Sequence, residues 1–525
     1  MGAMGWAPVG ASPCSLRFRE VRSSARSGRR RSAPAMATHA GGVEGIPEGG
    51  SVHFVGIGGA GLSALALVGL NQGFRVSGSD RDGTSPRLRT LRDAGATVFA
   101  GHTALHLGNL PGGGPPDAVV VSSAVPPSNP EVLAAKALGI TVYKRDQWLA
   151  MATANFRLAA VAGTHGKTSS TSMLACALVD GGADPTVVVG GEVAQLGGRN
   201  ARLGRSDLFV LEADEYDYAF LGLKPAVAIV TSVEWDHPDI FPTPQSVADA
   251  FVQFAHQVRP GGTLLACGDT DGSRALSVVF EGDEQRKALT YGISEGCDWR
   301  AMDLTQNARG GVDFVASGPG VTSPVPVSLS VPGTHNVQNA LAVLACACTL
   351  GVSPDSAARS LSAFGGVARR FQSVGDAPTL NGQLKGKALI FDDYAHHPTA
   401  VVATLEAATK RFPGARVWAC FQPHTFSRLT SLLADFQASF HGATKVLVTP
   451  VYGARDKEVG SSVDHTTLAD AVAKYTDCRA VASLQEAEDI LFAEVADGDV
   501  VITMGAGDVT HLGYTLKARM VAART

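Results

Sequence analysis

One short stretch, Val161–Thr171, constrains the fold of this chain more than any other. It follows an apolar run at 158–161 that predicts a strand, and it precedes a helix-forming run at 172–178. Its two glycines let the backbone curl, so that free amides, the helix N-terminus and Lys167 face an anion. The hydroxyl of Thr168 falls where it can ligate the Mg²⁺ of a nucleotide. We interpret the stretch as a phosphate-binding loop.

The spacing of this loop is unusual. The common phosphate loop has a further glycine five places before its last one, and Val161 stands there in this chain. A plain glycine-rich turn between a strand and a helix is therefore an alternative interpretation. Gly-Lys-Thr with three more hydroxyl residues behind it, directly after a strand, favours phosphate binding.

Composition limits the class of protein. With 525 residues the chain is too long for one core, and about three domains are expected. The formal net charge is −4 and no basic stripe follows the first thirty residues, which argues against nucleic-acid binding. No apolar run approaches the ~20 residues of a membrane span, so we expect a soluble protein. The eight cysteines form no zinc or disulfide pattern, which favours buried thiols in a reducing compartment.

The first 45 residues differ in composition from the rest. Seven arginines lie from Arg17 to Arg31, among serines and alanines, and Glu20 is the one acid before residue 44. Leaders rich in arginine and serine and poor in acids are typical of organelle transit peptides. The competing interpretations are a disordered basic arm and a true start at Met36. We expect a plastid-directed leader and a stromal location, with the cytoplasm as the alternative.

A second sequence of strand, glycine turn and helix begins at Ser51. Gly56, Gly58 and Gly61 satisfy the pattern G-x-G-x-x-G, and the next predicted strand leads to Asp80, where a dinucleotide fold places its ribose acid. Alone, this pattern favours NAD, but the same turn serves any diphosphate on a helix N-terminus. Further βα units predict a doubly wound domain over residues 50–150.

The region 151–364 combines the phosphate loop with acidic strand ends. Apolar runs at 207–211 and 226–230 deliver EADEYD and TSVEWDH. Because parallel sheets bind ligands at the carboxyl ends of their strands, these carboxylates and the histidine are candidate Mg²⁺ ligands. Four acids in six residues also suit a solvated turn. An alternating apolar pattern at 298–331 predicts antiparallel strands appended to the parallel sheet.

A third α/β domain is predicted over residues 365–525. Its strand at 388–391 delivers DDYAHHP, and its strand at 416–421 delivers QPHTFSR. Several chemically equipped strand ends in one domain imply a shared site. The neighbouring His396 and His397 have no carboxylate at helical spacing, so we interpret them as substrate contacts rather than as metal ligands.

Taken together, these motifs resemble the Mur ligase family. They follow the family's order across nearly all of residues 50–510: GTHGKTSST, EADEYD, EWDHPD, GTHNVQNAL, GVARRFQ, DDYAHHPT and QPHTFSR. The opening HFVGIGGAGLS, the VVSSAV turn and DDYAHHP are most similar to the members that attach L-alanine. The resemblance implies a three-domain α/β fold. Its parts would be an N-terminal Rossmann-like domain for the UDP-sugar, a central P-loop ATPase-type parallel sheet with appended antiparallel strands, and a C-terminal Rossmann-like domain for the amino acid.

The resemblance also implies an activity. The carboxylate of UDP-N-acetylmuramate would attack the γ-phosphate of ATP to give an acyl phosphate, and the amine of L-alanine would then displace phosphate. This is the first peptide step of peptidoglycan precursor synthesis. The expected cofactors are ATP and Mg²⁺, the expected partners are the two substrates without nucleic acid or membrane, and the expected state is a monomer or homodimer.

Residue roles are implied by the matching positions. Lys167 would hold the β- and γ-phosphates and Arg370 the transferring phosphate. Metal would be held by Thr168, Glu212 and His237. The other contacts implied for ATP are Gly163, Thr164, His165, Gly166, Ser169, His335, Asn339 and Asp393. Those implied for the UDP-sugar are Gly58, Gly59, Ala60, Gly61, Ser63, Asp80, His102, Ser122 and Ser123, and those for the amino acid are Tyr394, His396 and Arg428.

Two positions depart from the family pattern. Several sister ligases use a carbamylated lysine shortly after the His237 position, and this chain has no lysine between Lys224 and Lys287. Many relatives carry arginine where this chain has Thr425, which leaves Arg428 as the one guanidinium in its loop.

Three other functions stay open on the sequence. A ligase that recycles a whole tripeptide onto the same sugar shares the acidic motifs, although the opening glycine turn and the His396-His397-Pro398 turn argue against it. An NAD-dependent dehydrogenase would use the Gly56 turn but would leave Lys167 without a task. A non-catalytic descendant would keep binding alone.

Overall fold

The structure, a computed structural model, describes residues 45–108, 110, 112–379, 386–454 and 463–524. Within these ranges the strands form three sheets, which we call the N-terminal, central and C-terminal sheets. The predicted α/β class, with mainly parallel sheets, is confirmed. The leader expected in residues 1–45 falls, up to residue 44, outside the described ranges and stays a prediction. No helix within those ranges is long and apolar enough to cross a membrane.

The N-terminal sheet is parallel and has the order β3-β2-β1-β4-β5. Its strands are β1 (Ser51–Val55), β2 (Arg75–Asp80), β3 (Thr97–Ala100), β4 (Ala118–Val121) and β5 (Thr141–Lys144). Its helices are α1 (Ala60–Asn71), α2 (Pro86–Asp93), α3 (Pro130–Ala137) and α4 (Arg145–Thr153), with a 3₁₀ turn at Ala104–Gly108. The strand order reverses between β1 and β4, so the turns after these two strands border the crevice where such sheets bind ligands.

A buried carboxylate on α3 connects several elements of this sheet. Glu131 accepts a 2.5 Å hydrogen bond from the Ser79 hydroxyl, and its oxygens lie 3.0 Å from His102 Nδ1 and 2.6 Å from His106 Nδ1. His53 Nε2 lies 3.5 Å away, and the Glu131 side chain has no exposed surface. Burial alone would raise the pKa of Glu131, but bonds from His53, Ser79 and His106 lower it to about 2. The carboxylate is therefore ionised at neutral pH.

The central sheet has the order β15-β14-β13-β12-β11-β10-β6-β9-β7-β8. Its strands are β6 (Arg157–Ala162), β7 (Thr186–Val193), β8 (Arg199–Arg202), β9 (Leu208–Glu212), β10 (Val227–Val230), β11 (Thr263–Cys267), β12 (Lys287–Gly292), β13 (Trp299–Gln306), β14 (Val312–Ser317) and β15 (Val325–Ser328). Strand β14 is antiparallel to both of its neighbours, β13 and β15, which confirms the predicted antiparallel extension. Strand β8 is antiparallel to β7, and the remaining pairs are parallel.

Helices cover both faces of the central sheet. They are α5 (Lys167–Asp180), α6 (Pro244–Ala255), α7 (Asp271–Arg274), α8 (Thr334–Thr349) and α9 (Pro354–Ala363), with 3₁₀ turns at Ala194–Leu196, Tyr216–Gly222 and Ala275–Val278. Helices α5 and α8 pack on one face and the phenylalanines of α6 on the other. Burial on both faces explains why β6, β9 and β10 read as continuous apolar runs. Because β6 lies between β9 and β10, the loops after these three strands meet at one sheet edge.

The C-terminal sheet has the order β16-β17-β21-β18-β19-β20, with β16 antiparallel to β17. Its strands are β16 (Gln372–Pro378), β17 (Lys387–Asp393), β18 (Val417–Phe421), β19 (Lys445–Val448), β20 (Asp477–Ala480) and β21 (Val500–Met504). Its helices are α10 (Pro398–Arg411), α11 (Phe426–Ser431), α12 (Leu433–Ala438), α13 (His465–Val472), α14 (Leu484–Glu494) and α15 (Thr510–Ala522). The loops after β17 and β18 thus flank the end of β21.

Two helix starts are defined by local contacts or position. Helix α6 begins at Pro244, where the Thr243 hydroxyl caps it by accepting from the Ser246 N–H. Helix α8 begins at Thr334. This start places His335 and Asn339 in the first turns of α8. The polar edge strands β8 and β16 carry no apolar pattern that predicts them.

We expect Glu131→Gln to lower the free energy of unfolding by about 2 kcal/mol at pH 7, because it weakens charged hydrogen bonds inside a closed pocket. The folded pKa of Glu131 lies below its unfolded value, so its stabilisation is present above about pH 4.5 and is lost as the pH falls towards 2. Urea unfolding of wild type and variant between pH 3 and 7 measures both effects.

The exposed substitution Glu48→Gln is the matched control and should leave unfolding unchanged. An equal pH dependence in the wild type and Glu131→Gln would contradict the assignment of an ionised, bonded Glu131.

Candidate active site

The turn between β6 and α5 has the backbone of an anion-binding loop. Gly163 has a φ of +131° and Gly166 a φ of +80°. A Cβ added to Gly163 would lie 2.8 Å from the Thr231 amide nitrogen, and one added to Gly166 would lie 2.6 Å from Asn339 Oδ1. Both positions therefore require glycine. The first turn of α5 leaves its amides without partners inside the helix, which favours an anion there.

Lys167 folds back over this loop and forms a salt bridge. Its Nζ donates to both carboxylate oxygens of Glu215 at 2.8 Å and to the Gly163 carbonyl at 2.6 Å. Burial alone would lower the pKa of Lys167, but the negative charges of Glu215 and Asp214 raise it above its ordinary value. Burial raises the pKa of Glu215 to about 7, against the opposing charge of Lys167. The loop therefore holds a charged ammonium group.

The acids of the EADEYD motif have different partners. Glu212 accepts from the Thr168 hydroxyl at 2.8 Å and from the Gly190 N–H at 2.6 Å. Asp214 lies 3.5 Å from Arg145 Nη2, and Asp217 lies 3.9 Å from Lys144 Nζ, both at the start of α4. Glu215 holds Lys167. The two glutamates of the motif thus contact the phosphate loop and the start of α5. Its two aspartates contact the N-terminal part, by which we mean the N-terminal sheet with its helices; the central and C-terminal parts are named in the same way.

His237 ends the segment after β10 in a strained backbone conformation. Its φ is +55°, which is uncommon for a residue with a side chain. Its Nε2 lies 3.8 Å from Glu215 and 3.7 Å from Asp236. Burial lowers the pKa of His237, so that the ring is neutral and can donate a lone pair to a cation.

The first turns of helix α8 contact the phosphate loop and α5. Asn339 accepts a 3.0 Å hydrogen bond from the Ser170 hydroxyl of α5, which fixes its amide against Gly166. His335 lies one turn earlier on the same helix. Burial lowers the pKa of His335 to about 4, with Arg370 as a further cause. A neutral ring therefore faces the cleft.

Residues at and just before the C-terminal sheet border the phosphate loop and the start of α5. The Arg370 Nη2 donates to the Thr168 hydroxyl at 3.3 Å, and its guanidinium lies 4.9 Å from the centre of the Tyr394 ring. Asp393 accepts from the Phe371 N–H and the Ala395 N–H, each at 2.7 Å. Burial raises the pKa of Asp393. Through these two hydrogen bonds the Asp393 carboxylate holds the segment just before β16 against the end of β17.

Two further side chains from this part lie at the loops after β17 and β18. His396 Nδ1 lies 2.8 Å from the Tyr394 carbonyl oxygen, and burial holds the pKa of His396 well below its ordinary value. Arg428 donates from Nε to Asp236 Oδ1 at 2.8 Å, and the two side chains are 4% and 7% exposed. This ion pair joins the C-terminal and central parts. Burial alone would raise the pKa of Asp236, but the charge of Arg428 holds it well below its ordinary value.

The residues expected at the UDP-sugar lie at or after the carboxyl ends of strands β1 to β4 and in the first turn of α1. The Gly58 N–H donates to Asp80 Oδ2 at 2.8 Å, so Asp80 steadies the glycine turn. The Ser63 hydroxyl is buried and donates to the Ala60 carbonyl, whereas His102 contacts Ser79 and Glu131. Of the remaining expected positions, Gly59 caps α1, Ala60 and Gly61 begin it, and Ser122 and Ser123 follow β4.

The three parts border one cleft with a cavity volume of about 1030 Å³. The central part contributes most of the expected ATP and metal residues: Thr164, His165, Gly166, Lys167, Thr168, Ser169, Glu212, His237, His335 and Asn339. The C-terminal part contributes Arg370, Asp393, Tyr394 and His396, and the N-terminal part contributes Ala60 and Gly61. The side chain of Asn200 on β8 donates to the Ala60 carbonyl at 3.0 Å, which joins the glycine turn to the central sheet.

Sequence reasoning missed two residues that organise the cleft. Glu215 stands three places after Glu212 at the end of β9, and its role as the partner of Lys167 follows from sheet topology rather than from spacing. Asp236 precedes His237, and its pairing with Arg428 spans 192 positions. A buried arginine needs a buried acid, but nothing in the sequence around Arg428 marks it as buried or points to Asp236.

Comparison with known proteins agrees with this geometry. Residues 51–157 match the family described as "Mur ligase family, catalytic domain", residues 161–347 match "Mur ligase middle domain", and residues 369–507 match "Mur ligase, glutamate ligase domain". The chain belongs to the Mur ligase family. Its three sheets correspond in order to these three matches.

Curated relatives within the Mur ligases cover most of the chain. The UDP-N-acetylmuramate–L-alanine ligase of Frankia casuarinae is 43% identical over 495 residues, covering 89% of this chain and 97% of the relative. That of Paenarthrobacter aurescens is 41% identical, covering 91% and 98%. Among solved structures, the UDP-N-acetylmuramate-alanine ligase MurC of Thermotoga maritima has a TM-score of 0.71 at 26% identity, covering 90% of this chain and all of that one. A murein peptide ligase of Psychrobacter arcticus has a TM-score of 0.64 at 25% identity, covering 90% and 99%.

We expect Asp236→Asn to lower the free energy of unfolding by about 3 kcal/mol, because it leaves the buried Arg428 guanidinium without a charged partner. Urea unfolding measures the loss, with the exposed Asp249→Asn on α6 as the matched control. The double substitution Asp236→Asn with Arg428→Met should recover part of it. If Asp236→Asn is as stable as the wild type, the Asp236–Arg428 ion pair does not hold the central and C-terminal parts together.

Proposed function

We propose that this Mur ligase uses ATP to join L-alanine to the carboxylate of UDP-N-acetylmuramate, the first peptide step of peptidoglycan precursor synthesis. One observation supports it above the others: a charged lysine in a phosphate loop lies in a cleft shared by all three parts. Two relatives named for this activity are 43% and 41% identical to this chain, which covers 97% and 98% of their lengths. A carboxylate is a poor electrophile, so phosphorylation by ATP makes its amide formation accessible.

We assign the UDP-sugar to the crevice of the N-terminal sheet. The glycine turn from Gly58 to Ser63 would cradle the diphosphate at the N-terminus of α1. Asp80 holds that turn, and His102, Ser122 and Ser123 stand at the neighbouring strand ends. The sugar carboxylate would then point along the Ala60–Gly61 side of the cleft towards the phosphate loop.

We assign ATP to the central part. Lys167 would exchange its contacts with Glu215 for the β- and γ-phosphates, and the amides of the loop would hold the phosphate oxygens. His335 and Asn339 would contact the adenine, and Asp393 the ribose. Arg370, 3.3 Å from the Thr168 hydroxyl, would neutralise the transferring phosphate.

The donors around Thr168 fit a magnesium ion. Glu212 accepts from a hydroxyl and a backbone amide, both neutral, so its charge is available to a divalent cation. Hydroxyl and carboxylate oxygens are the ligands that Mg²⁺ prefers. Thr168, Glu212 and the neutral His237 would hold the ion, whose charge would neutralise phosphate oxygens. The lysine that sister ligases carbamylate is missing here, and Glu215, 3.8 Å from His237, supplies a carboxylate in that region.

We assign the amino acid to the loops after β17 and β18. Tyr394 and His396 line the cleft there and would contact the incoming L-alanine. The amine would attack the acyl phosphate carbonyl, and phosphate would leave from the tetrahedral intermediate. Since the Arg428 guanidinium is paired with Asp236, we assign it a share of the alanine carboxylate only through its remaining N–H groups.

We expect purified protein with Mg²⁺ and ATP to release phosphate only when UDP-N-acetylmuramate and L-alanine are both present. Both are needed because the sugar acid is phosphorylated in one part and captured by an amine held in another. Phosphate release with alanine, serine, glycine and the murein tripeptide measures the preference among amines. Turnover with the tripeptide but not with alanine would contradict the assignment in favour of a recycling ligase.

Two lysine substitutions, one as the test and one as its matched control, separate the roles of the parts. Lys167→Ala should abolish release while calorimetric binding of UDP-N-acetylmuramate persists, because the sugar nucleotide occupies a different part of the chain. Lys474→Ala removes an exposed lysine of the C-terminal part and should leave release unchanged. Equal loss of turnover and of sugar-nucleotide binding in Lys167→Ala would contradict this division of work.

A further inference from the structure

Three metal-ligating side chains from separate segments meet between the central and C-terminal sheets. They are His165 of the phosphate loop, Glu234 after β10 and His397 after β17, and their ligand atoms all lie within 4.8 Å of one another. His165 Nε2 is 3.3 Å from Glu234 Oε2, and His397 Nδ1 is 4.0 Å from the same oxygen. These three residues are distinct from Thr168, Glu212 and His237, to which we assign magnesium.

The hydrogen bonds of His397 leave a ligand atom facing the cluster. Its Nε2 lies 3.2 Å from the Trp235 carbonyl oxygen, which can only accept, so the ring proton resides on Nε2 and Nδ1 carries a lone pair. The Thr399 N–H approaches Nδ1 at 3.4 Å, a long and weak contact. With its proton on Nε2, the His397 ring can offer the Nδ1 lone pair to a metal ion.

Glu234 is held in place between the two imidazoles. The Thr399 hydroxyl donates to its Oε2 at 2.5 Å, and its backbone N–H donates to the Thr164 hydroxyl at 2.9 Å. These bonds orient the carboxylate in the way that outer partners orient metal ligands.

We propose that His165, Glu234 and His397 bind a divalent transition-metal ion such as Zn²⁺ or Co²⁺ and thereby join the phosphate loop to the C-terminal sheet. Two imidazoles and one carboxylate favour these ions over Mg²⁺, which prefers oxygen ligands. Ligands of one tetrahedral ion are roughly 3.4 Å apart, since each metal–ligand bond is about 2.1 Å. The two distances to Glu234 are 3.3 and 4.0 Å, and no two ligand atoms are more than 4.8 Å apart, so side-chain rotations would bring all three to this spacing.

The site is also accessible and has room for water as a fourth ligand. His165 and Glu234 are 23% and 25% exposed, and His397 is 6% exposed. An ion can thus enter from the cleft without local unfolding. Because the ligands come from both sheets, the bound ion should stabilise their present arrangement.

The test is titration of the full chain with Co²⁺ alone, without nucleotide, followed by visible absorption and calorimetry. Wild type, His237→Ala, Glu234→Gln and His397→Ala are compared, with the exposed His441→Ala as the histidine control. We expect wild type, His237→Ala and His441→Ala to share a tetrahedral cobalt spectrum. Glu234→Gln and His397→Ala should bind Co²⁺ at least about tenfold more weakly at this site.

Thermal unfolding supplies a second measurement and a check on folding. Zn²⁺ should raise the midpoint of the wild type but not that of Glu234→Gln, which keeps the shape of the side chain and should fold normally. A cobalt spectrum lost in His237→Ala and kept in Glu234→Gln would place the ion at Thr168 and Glu212 and overturn the proposal. Absence of tetrahedral cobalt binding in the wild type would overturn it as well.

Discussion

The cleft depends on keeping one ammonium group charged where little water reaches it. Lys167 is 16% exposed and Glu215 is 3% exposed, and an unpaired charge in such a place would cost several kcal/mol. The Glu215 carboxylate, with the charges of Asp214 and Glu212 nearby, keeps the lysine protonated. In the proposed reaction an incoming phosphate would replace one anionic partner with another, so that the loop would accept ATP without holding an unpaired cation.

Sheet topology decides which groups surround that lysine. The central position of β6 brings the ends of β9 and β10 to its sides, and the order of the C-terminal sheet places the ends of β17 and β18 on either side of β21. Polar contacts then fix the parts to one another: Asn200 with the Ala60 carbonyl, Asp214 with Arg145, and Asp236 with Arg428. The functional cleft is therefore a product of three sheets, and none of them contains it alone.

Much of this organisation could be predicted from local patterns, because strand ends in parallel sheets carry the chemistry in known directions. The phosphate loop, the acidic strand ends and the antiparallel extension were readable in this way. Pairings between residues far apart in the sequence were not, since nothing in the spacing of Arg428 points to Asp236, 192 positions away, and nothing links His397 to Glu234. The edge strands β8 and β16 could not be predicted for a different reason, because their polar residues bury too little surface to leave a periodic apolar pattern.

In the proposed reaction the cationic loop transfers a phosphoryl group to the sugar carboxylate before the amide forms. The decisive measurement is turnover of UDP-N-acetylmuramate labelled with ¹⁸O in both carboxylate oxygens, followed by mass analysis of the released phosphate. We expect one ¹⁸O in each phosphate released, because the oxygen that attacks phosphorus leaves with it. Phosphate free of ¹⁸O during amide formation would rule out the acyl phosphate.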